Sequence, residues 1–138
     1  MLSVHMQVEL KASPDEVWKV IAGFNDIPDW LPPIEKSSLD ETGKVRHLSL
    51  AGGGEIVEQL EEHNDEQYYY RYSIIDSPLP LSNYVSTLRV HSQGGGAHSI
   101  VDWSSHFNAD SVPDEEAVAS VQGVYQAGFD KLQKIFAG

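Results

Sequence analysis

Residues 43 to 84 read GKVRHLSLAGGGEIVEQLEEHNDEQYYYRYSIIDSPLPLSNY, and this stretch decides the fold. It predicts three consecutive antiparallel strands, at about 44 to 51, 55 to 63 and 67 to 76, and the start of a fourth near 82. Turn residues separate them: Gly52, Gly53 and Gly54, then Asn64-Asp65, then Pro78 and Pro80 around Leu79. Successive strand side chains alternate faces. In the first strand Leu48 and Leu50 mark the apolar face, and Arg46 shares it. In the second Ile56 and Leu60 mark it, and Glu58 shares it. A cation and a carboxylate are therefore expected inside, on adjacent strands. Burying them is costly unless they are paired. Two readings stay open: a pair that ties neighbouring strands, or polar anchors in a ligand cavity. A paired Glu58 would titrate below its ordinary range and a catalytic one above it.

The aromatic residues extend the same face. Tyr68, Tyr70, Tyr72 and Ile74 share it in the third strand, with Tyr68 near the strand start. Tyr84, Leu88 and Val90 share it in a strand at about 82 to 93. Val101, Trp103, Ser105 and Phe107 share it at about 97 to 108, after the turn Gly94 to Gly96. Tyrosine and tryptophan suit either plain core or a cavity wall, since each has an apolar ring and one polar atom that needs a partner.

Upstream, Val4, Met6, Val8 and Leu10 alternate with polar residues in a strand over about 3 to 11. Ser13-Pro14-Asp15-Glu16 then starts a helix, with Ser13 as cap, Pro14 in the first turn and Glu16 completing a capping box. That helix carries Val17, Trp18, Val20 and Ile21 and breaks near Gly23. Residues 24 to 34 hold three prolines and form a corner, where Trp30 and Leu31 must bury against something or line it. A short strand follows at 35 to 41. Downstream, Pro113-Asp114-Glu115-Glu116 opens a helix of about 22 residues, with acidic groups at its positive end. Val118, Val121, Tyr125, Phe129, Leu132 and Phe136, joined by Val124 and Ile135, give it one wide apolar face. The expected order is strand, short helices, six strands, long helix. That is an α+β chain in which an antiparallel sheet buries a helix, as one domain over residues 1 to 138.

Composition narrows the function classes. Twenty-one acidic against nine basic residues give a net charge of −12. Such a chain lacks the cations to displace counterions from nucleic acid and should repel anionic membrane surfaces. It has no cysteine, which removes disulfides, thiolate metal sites and cysteine nucleophiles. The six histidines show no HxxxH or HxH spacing, so no metal and no cofactor are expected. No serine sits in GxSxG, and the triglycine at 52 to 54 lacks the lysine of a phosphate loop. No signal peptide and no membrane span are expected, which makes a cytoplasmic protein the default. Monomer and homodimer both stay open.

The runs VWKVIAGFNDIPDWLPPI, GKVRHLSLAGGGEIVEQLEEHNDE, YRYSIIDSPLPLSNY and VDWSSHF resemble the START/Bet v 1-like superfamily, within it the polyketide cyclase/dehydrase-like family. The resemblance implies the helix-grip fold: a seven-stranded antiparallel sheet curled around the long C-terminal helix, with two short helices after the first strand. It also implies an internal cavity for a hydrophobic small molecule, a lipid, polyketide or aromatic acid. Only some members of the family are catalytic. The middle stretch is also similar to the plant abscisic-acid receptors, where the loop matching LAGGGE is a gate and the loop matching DSPLPLSNY a latch. By that similarity Lys36, Arg46, Glu58 and Tyr84 line or border the pocket, and Lys36 matches the lysine that meets the ligand's carboxylate. This chain has AGGGE where the receptors have Ser-Gly-Leu-Pro-Ala, and it lacks their His-Arg-Leu latch. The implied feature is thus gated access rather than a hormone-receptor role.

The candidate ligand-binding residues are Trp30, Lys36, Arg46, Leu48 and Glu58, with Tyr70, Tyr72, Tyr84, Trp103 and Tyr125. Gly52, Gly53, Gly54, Pro78, Leu79 and Pro80 are the gate and latch. Three functions compete: a non-enzymatic binder of a hydrophobic small molecule, a polyketide cyclase/aromatase or dehydratase in the same cavity, and an interaction module that docks a partner through the loops around Leu79. In the enzyme, Arg46 would polarise a carbonyl, Glu58 would shuttle a proton, and Tyr70 or Tyr84 would donate a hydrogen bond.

Overall fold

The computed structural model describes residues 1 to 137. Its elements run β1 (Leu2–Leu10), α1 (Pro14–Ile21), a 3-10 turn (Ile27–Asp29), β2 (Ile34–Leu39), β3 (Val45–Leu50), β4 (Glu55–Asn64), β5 (Tyr69–Asp76), β6 (Leu81–Gln93), β7 (His98–Ala109) and α2 (Asp114–Ile135). The strands form one antiparallel sheet in the order β1-β7-β6-β5-β4-β3-β2. The sheet curls around α2, and α1 with the 3-10 turn follows β1. This is the helix-grip arrangement that the resemblance implies.

Local chemistry sets the helix ends. Ser13 Oγ accepts the Glu16 N–H at 3.3 Å, with Pro14 in the first turn, so the expected cap forms, but the Glu16 carboxylate meets the Ser13 hydroxyl at 3.2 Å instead of the Ser13 N–H and does not close the box. Three acidic residues occupy the first turn of α2, where the helix dipole favours negative charge. The buried side of α2 is Ala117, Val121, Tyr125, Phe129 and Leu132, with Gly128 between them. Ile135 does not join that side. It lies on the flank of the stripe at the helix end and is exposed.

Gly128 has a specific reason to sit in the middle of a helix, where glycine costs about 1 kcal/mol relative to alanine. A Cβ there would stand 3.0 Å from Leu31 Cδ1 and 3.1 Å from the rings of Trp30 and Trp103. The bare backbone lets both tryptophans pack onto α2. Trp103 also stacks flat on Tyr125, with ring centroids 4.0 Å apart.

The sheet register bears out the alternation. Arg46 lies directly opposite Glu58, and both are buried. Tyr70, Tyr72, Tyr84, Leu88, Trp103 and Phe107 all face inward and are buried. His98 and His106 are exposed, as their opposite parity requires. Tyr68 lies just before the strand, with φ 57, yet keeps the inner side: its ring packs against the core and stacks on Trp18 at 5.5 Å, and Trp18 also meets Tyr70. Tyr69 points outward yet is buried as well. Its hydroxyl donates to Glu62, and Arg89 covers its ring at 4.4 Å.

Candidate functional site

An internal cavity of about 40 Å³ lies between the sheet and α2. Leu48, Ile56, Glu58, Tyr72, Tyr84 and Trp103 form its sheet wall. Val121, Val124 and Tyr125 come from α2, and Ile27, Leu31 and Ile34 from the corner after α1. Ile74, Leu79 and Leu81 close the end nearest the loops. Forty cubic ångströms holds a few water molecules at most. Pockets that bury a drug-sized ligand measure roughly 300 to 1,000 Å³. In this conformation the interior is closed down by side chains, and a ligand of that size requires the wall to move.

Two turns meet at the loop end. Gly52, Gly53 and Gly54 take φ of 87, 106 and 107, a run that residues with a Cβ adopt only under strain. The Gly54 position sits 3.4 Å from Leu50 Cδ1 and 3.5 Å from Pro78 Cγ, measured from an ideal Cβ, so the triglycine turn abuts the proline loop. The wall beside that loop is also weakly paired. The β5–β6 ladder ends at Ser73 opposite Val85, which leaves residues 74 to 76 held only from the β4 side. Asn83 (φ 54) marks a register shift in β6 on the other flank. Few cross-strand hydrogen bonds mean a low cost of local opening.

Glu58 belongs to the cavity wall and its partner Arg46 sits behind it. Arg46 Nε donates to Glu58 Oε1 at 2.9 Å. Nη2 lies 2.7 Å from the same oxygen, at an angle that makes the contact electrostatic rather than a formed hydrogen bond. Nη1 donates to the Phe24 carbonyl at 2.5 Å. The guanidinium also lies over the Phe24 ring at 3.9 Å, with Tyr72 at 5.1 Å and Tyr70 at 5.9 Å. Both arginine contacts to Glu58 fall on Oε1, so Oε2 has no partner among the described residues. Burial pushes the Glu58 carboxyl above its ordinary range, and Arg46 offsets this only in part. The glutamate is thus both paired and raised, so pairing and an upward shift are not the alternatives that sequence reasoning makes them.

A second polar network runs through the wall. Trp103 Nε1–H is shared between the Tyr72 hydroxyl at 3.1 Å and Ser86 Oγ at 3.0 Å. Ser86 Oγ donates to the Ser104 carbonyl at 3.1 Å and lies 3.0 Å from the Tyr125 hydroxyl. Tyr84 and Tyr125 join through their hydroxyls. Burial holds the Tyr72 and Tyr84 phenols well above their usual values and pushes Tyr125 up to about 12. All three are neutral donors or acceptors at physiological pH.

The structure therefore brings six expected residues into one wall: Leu48, Glu58, Tyr72, Tyr84, Trp103 and Tyr125. Leu79 of the expected latch joins them. Four expected ligand-binding residues do not reach it. Arg46 lies behind Glu58. Tyr70 packs edge-on against Phe24 at 5.9 Å. Trp30 is fully enclosed against Trp103 at 5.3 Å. Lys36 is exposed. The β2–β3 register explains Lys36: Ile34 pairs with inward Leu50 and Ser37 with inward Leu48, so the irregularity between Ile34 and Lys36 turns the lysine outward, opposite Ser49. Sequence reasoning missed Ile27, Ile34 and Leu81 as wall residues. Ile56, Ile74, Val121 and Val124 carried a usable signal, since they share strand parity or a helix face with residues it named.

Among the described residues no group of three or more histidine, aspartate or glutamate side chains could hold a metal ion. No described helix is long and apolar enough to cross a membrane.

Known proteins place the chain as follows. The sequence model described as polyketide cyclase / dehydrase and lipid transport matches residues 1 to 137. Among solved structures, the protein XoxI from Bacillus cereus is 43% identical, with 99% of this chain and 96% of that chain covered and a TM-score of 0.95. A START superfamily protein from Mycobacterium smegmatis is 12% identical, covering 98% and 97% of the two chains, with a TM-score of 0.80. The Zhui aromatase/cyclase from Streptomyces sp. R1128 is 16% identical, covering 99% and 93%, with a TM-score of 0.79. The last two show the shared fold alone. No curated protein matches the chain.

Proposed function

The chain belongs to the polyketide cyclase / dehydrase and lipid transport family, and from that premise we propose that it binds a hydrophobic small molecule in the cavity between its sheet and α2. The observation that carries the reading is the wall itself. It is almost wholly apolar, yet one carboxylate and three tyrosine hydroxyls border it. Such a combination supplies affinity by burial and orientation by a few polar groups. The closed volume of about 40 Å³ sets the mechanism of access. The triglycine turn at 52 to 54 and the proline loop at 78 to 80 separate, and Ile74, Leu79 and Leu81 swing out with the weakly paired end of β5. Native mass spectrometry of the purified protein, with a thermal-shift screen of fatty acids, aromatic ketones and aromatic acids, tests the reading. A co-purified mass or a saturable rise in Tm supports it. Absence of both across the panel overturns it.

One observation favours catalysis in the same cavity, as a cyclase, aromatase or dehydratase. Glu58 presents a partner-free Oε2 at the wall, and its carboxyl is shifted toward the range of a general acid or base. Arg46 acts in this reading by holding Glu58, because it does not reach the cavity. Turnover that survives Glu58→Gln unchanged removes the catalytic role and leaves the binding role in place.

A further inference from the structure

Two kinds of hydroxyl meet at the wall. Tyr84, Tyr125 and Ser86 join through their hydroxyls, where each oxygen can give or accept, and Ser86 Oγ also reaches the Ser104 carbonyl. Tyr72 differs. Its hydrogen bond comes from the Trp103 N–H, which can only donate and which is shared with Ser86. Tyr72 is the acceptor there, and its own hydroxyl hydrogen forms no hydrogen bond among the described residues. A buried donor left unmade carries a desolvation penalty, and a ligand acceptor relieves it.

The charges complete the description. The one ionisable carboxyl at the wall is Glu58. The nearest cation, Arg46, is occupied by Glu58 Oε1 and the Phe24 carbonyl. Lys36, which a carboxylate ligand would require by resemblance, is exposed and faces away. An anion placed in this cavity would be buried beside a carboxylate with no free cation to meet it.

We infer that the cavity selects an uncharged molecule bearing an acceptor oxygen, a ketone, ester or ether, and that Tyr72 is the residue that recognises it. This rests on the binding reading above and deepens it by excluding fatty acids and aromatic acids as preferred ligands. Tyr72 is a specificity-determining residue because its hydroxyl hydrogen stays unspent whichever way the Ser86, Tyr125 and Tyr84 hydroxyls are ordered. The Trp103 N–H keeps the phenol oriented.

Three probes of nearly equal size separate the possibilities: ethylbenzene, acetophenone and benzoate, titrated calorimetrically into wild type and Tyr72→Phe. Acetophenone should bind wild type roughly three- to tenfold more tightly than ethylbenzene, the worth of one net hydrogen bond. The preference should vanish in Tyr72→Phe, and benzoate should bind most weakly to both. Equal affinities for acetophenone and ethylbenzene in wild type, or a preference that survives Tyr72→Phe, overturn the role of Tyr72 and leave cavity binding intact. Benzoate binding more tightly than acetophenone overturns the exclusion of acids. Failure of all three to bind removes the binding reading and this inference with it. The variant's fold is guarded because the Trp103 N–H keeps Ser86. The infrared carbonyl stretch of wild-type-bound acetophenone gives a check that needs no variant. It should move to lower frequency than in hydrocarbon solvent, and an unshifted band overturns the assignment.

Discussion

Removing either partner of the Arg46–Glu58 pair should destabilise the protein, but with opposite responses to pH. Arg46 is completely enclosed and Glu58 nearly so. Leaving one charge of a buried pair alone costs about 3–5 kcal/mol. Glu58→Gln strands a guanidinium that cannot release its proton. The amide oxygen still accepts one hydrogen bond, worth about 1 kcal/mol, and the Phe24 ring at 3.9 Å still faces the cation. The net loss should be about 2–4 kcal/mol, a large share of the 5–15 kcal/mol typical of a domain. This loss should grow on acidification, because only the wild type keeps a carboxyl whose raised folded pKa adds stability at low pH. Arg46→Met strands a carboxyl instead, and this one can neutralise itself. Its folded-state pKa, already raised in the wild type, rises further without the cation. A group with a raised folded pKa contributes stability that is full below its unfolded value near 4.5 and is lost as pH rises through the folded value. The penalty of Arg46→Met should therefore shrink on acidification by up to about 1.4 kcal/mol per pH unit, until the carboxyl has taken up its proton. Urea unfolding followed by tryptophan fluorescence, near neutral pH and about two units lower, measures both. Penalties below about 1 kcal/mol for both variants, or equal penalties at both pH values, would refute the reasoning. The double variant should cost less than the sum of the two single changes, since they share one interaction.

Two further outcomes follow from the packing and the outer face. Gly128→Ala should destabilise by about 1–3 kcal/mol despite its better helix propensity, because the added methyl overlaps Leu31, Trp30 and Trp103. Thermal unfolding checks this, and a stabilised variant would show that the tryptophans have room to shift. On the convex face, hydrogen bonds from His5 and Gln7, with the charge of His91, hold Asp102 below its ordinary range despite partial burial. A depressed carboxylate stabilises above its unfolded pKa of about 3.9 and loses that contribution as pH falls through the lower folded value. The stability gap between wild type and Asp102→Asn should therefore narrow as pH drops from about 5 to about 2, and a gap that widens over that range contradicts the assignment.

Much of this was legible in the sequence, for physical reasons. Strand alternation has a strict period of two, so Leu48 and Leu50 after Arg46, and Ile56 and Leu60 on either side of Glu58, sufficed to turn both inward, and the register then placed them face to face. The cap at Ser13 and the acidic first turn of α2 are local chemistry and were read as such. Parity failed where the period breaks. One irregularity in β2 reversed Lys36, whereas the left-handed Tyr68 shortened β5 without leaving the inner side. Depth was also out of reach. Alternation says that Arg46, Tyr70 and Trp30 turn inward or bury, but not that Glu58, Phe24 and Gly128 stand between them and the cavity or hold them away from it. That Tyr72 only accepts depends on the Trp103 N–H, which only the folded sheet brings to it.

If the closed cavity opens to a neutral apolar molecule at its loop end, an ¹H–¹⁵N correlation titration with acetophenone should give saturable shifts at Ile56, Tyr72 and Val121 in the wall, accompanied by Gly53, Gly54 and Leu79 in the two turns. Shifts confined to the convex face of the sheet, or no saturable shift at all, would contradict it.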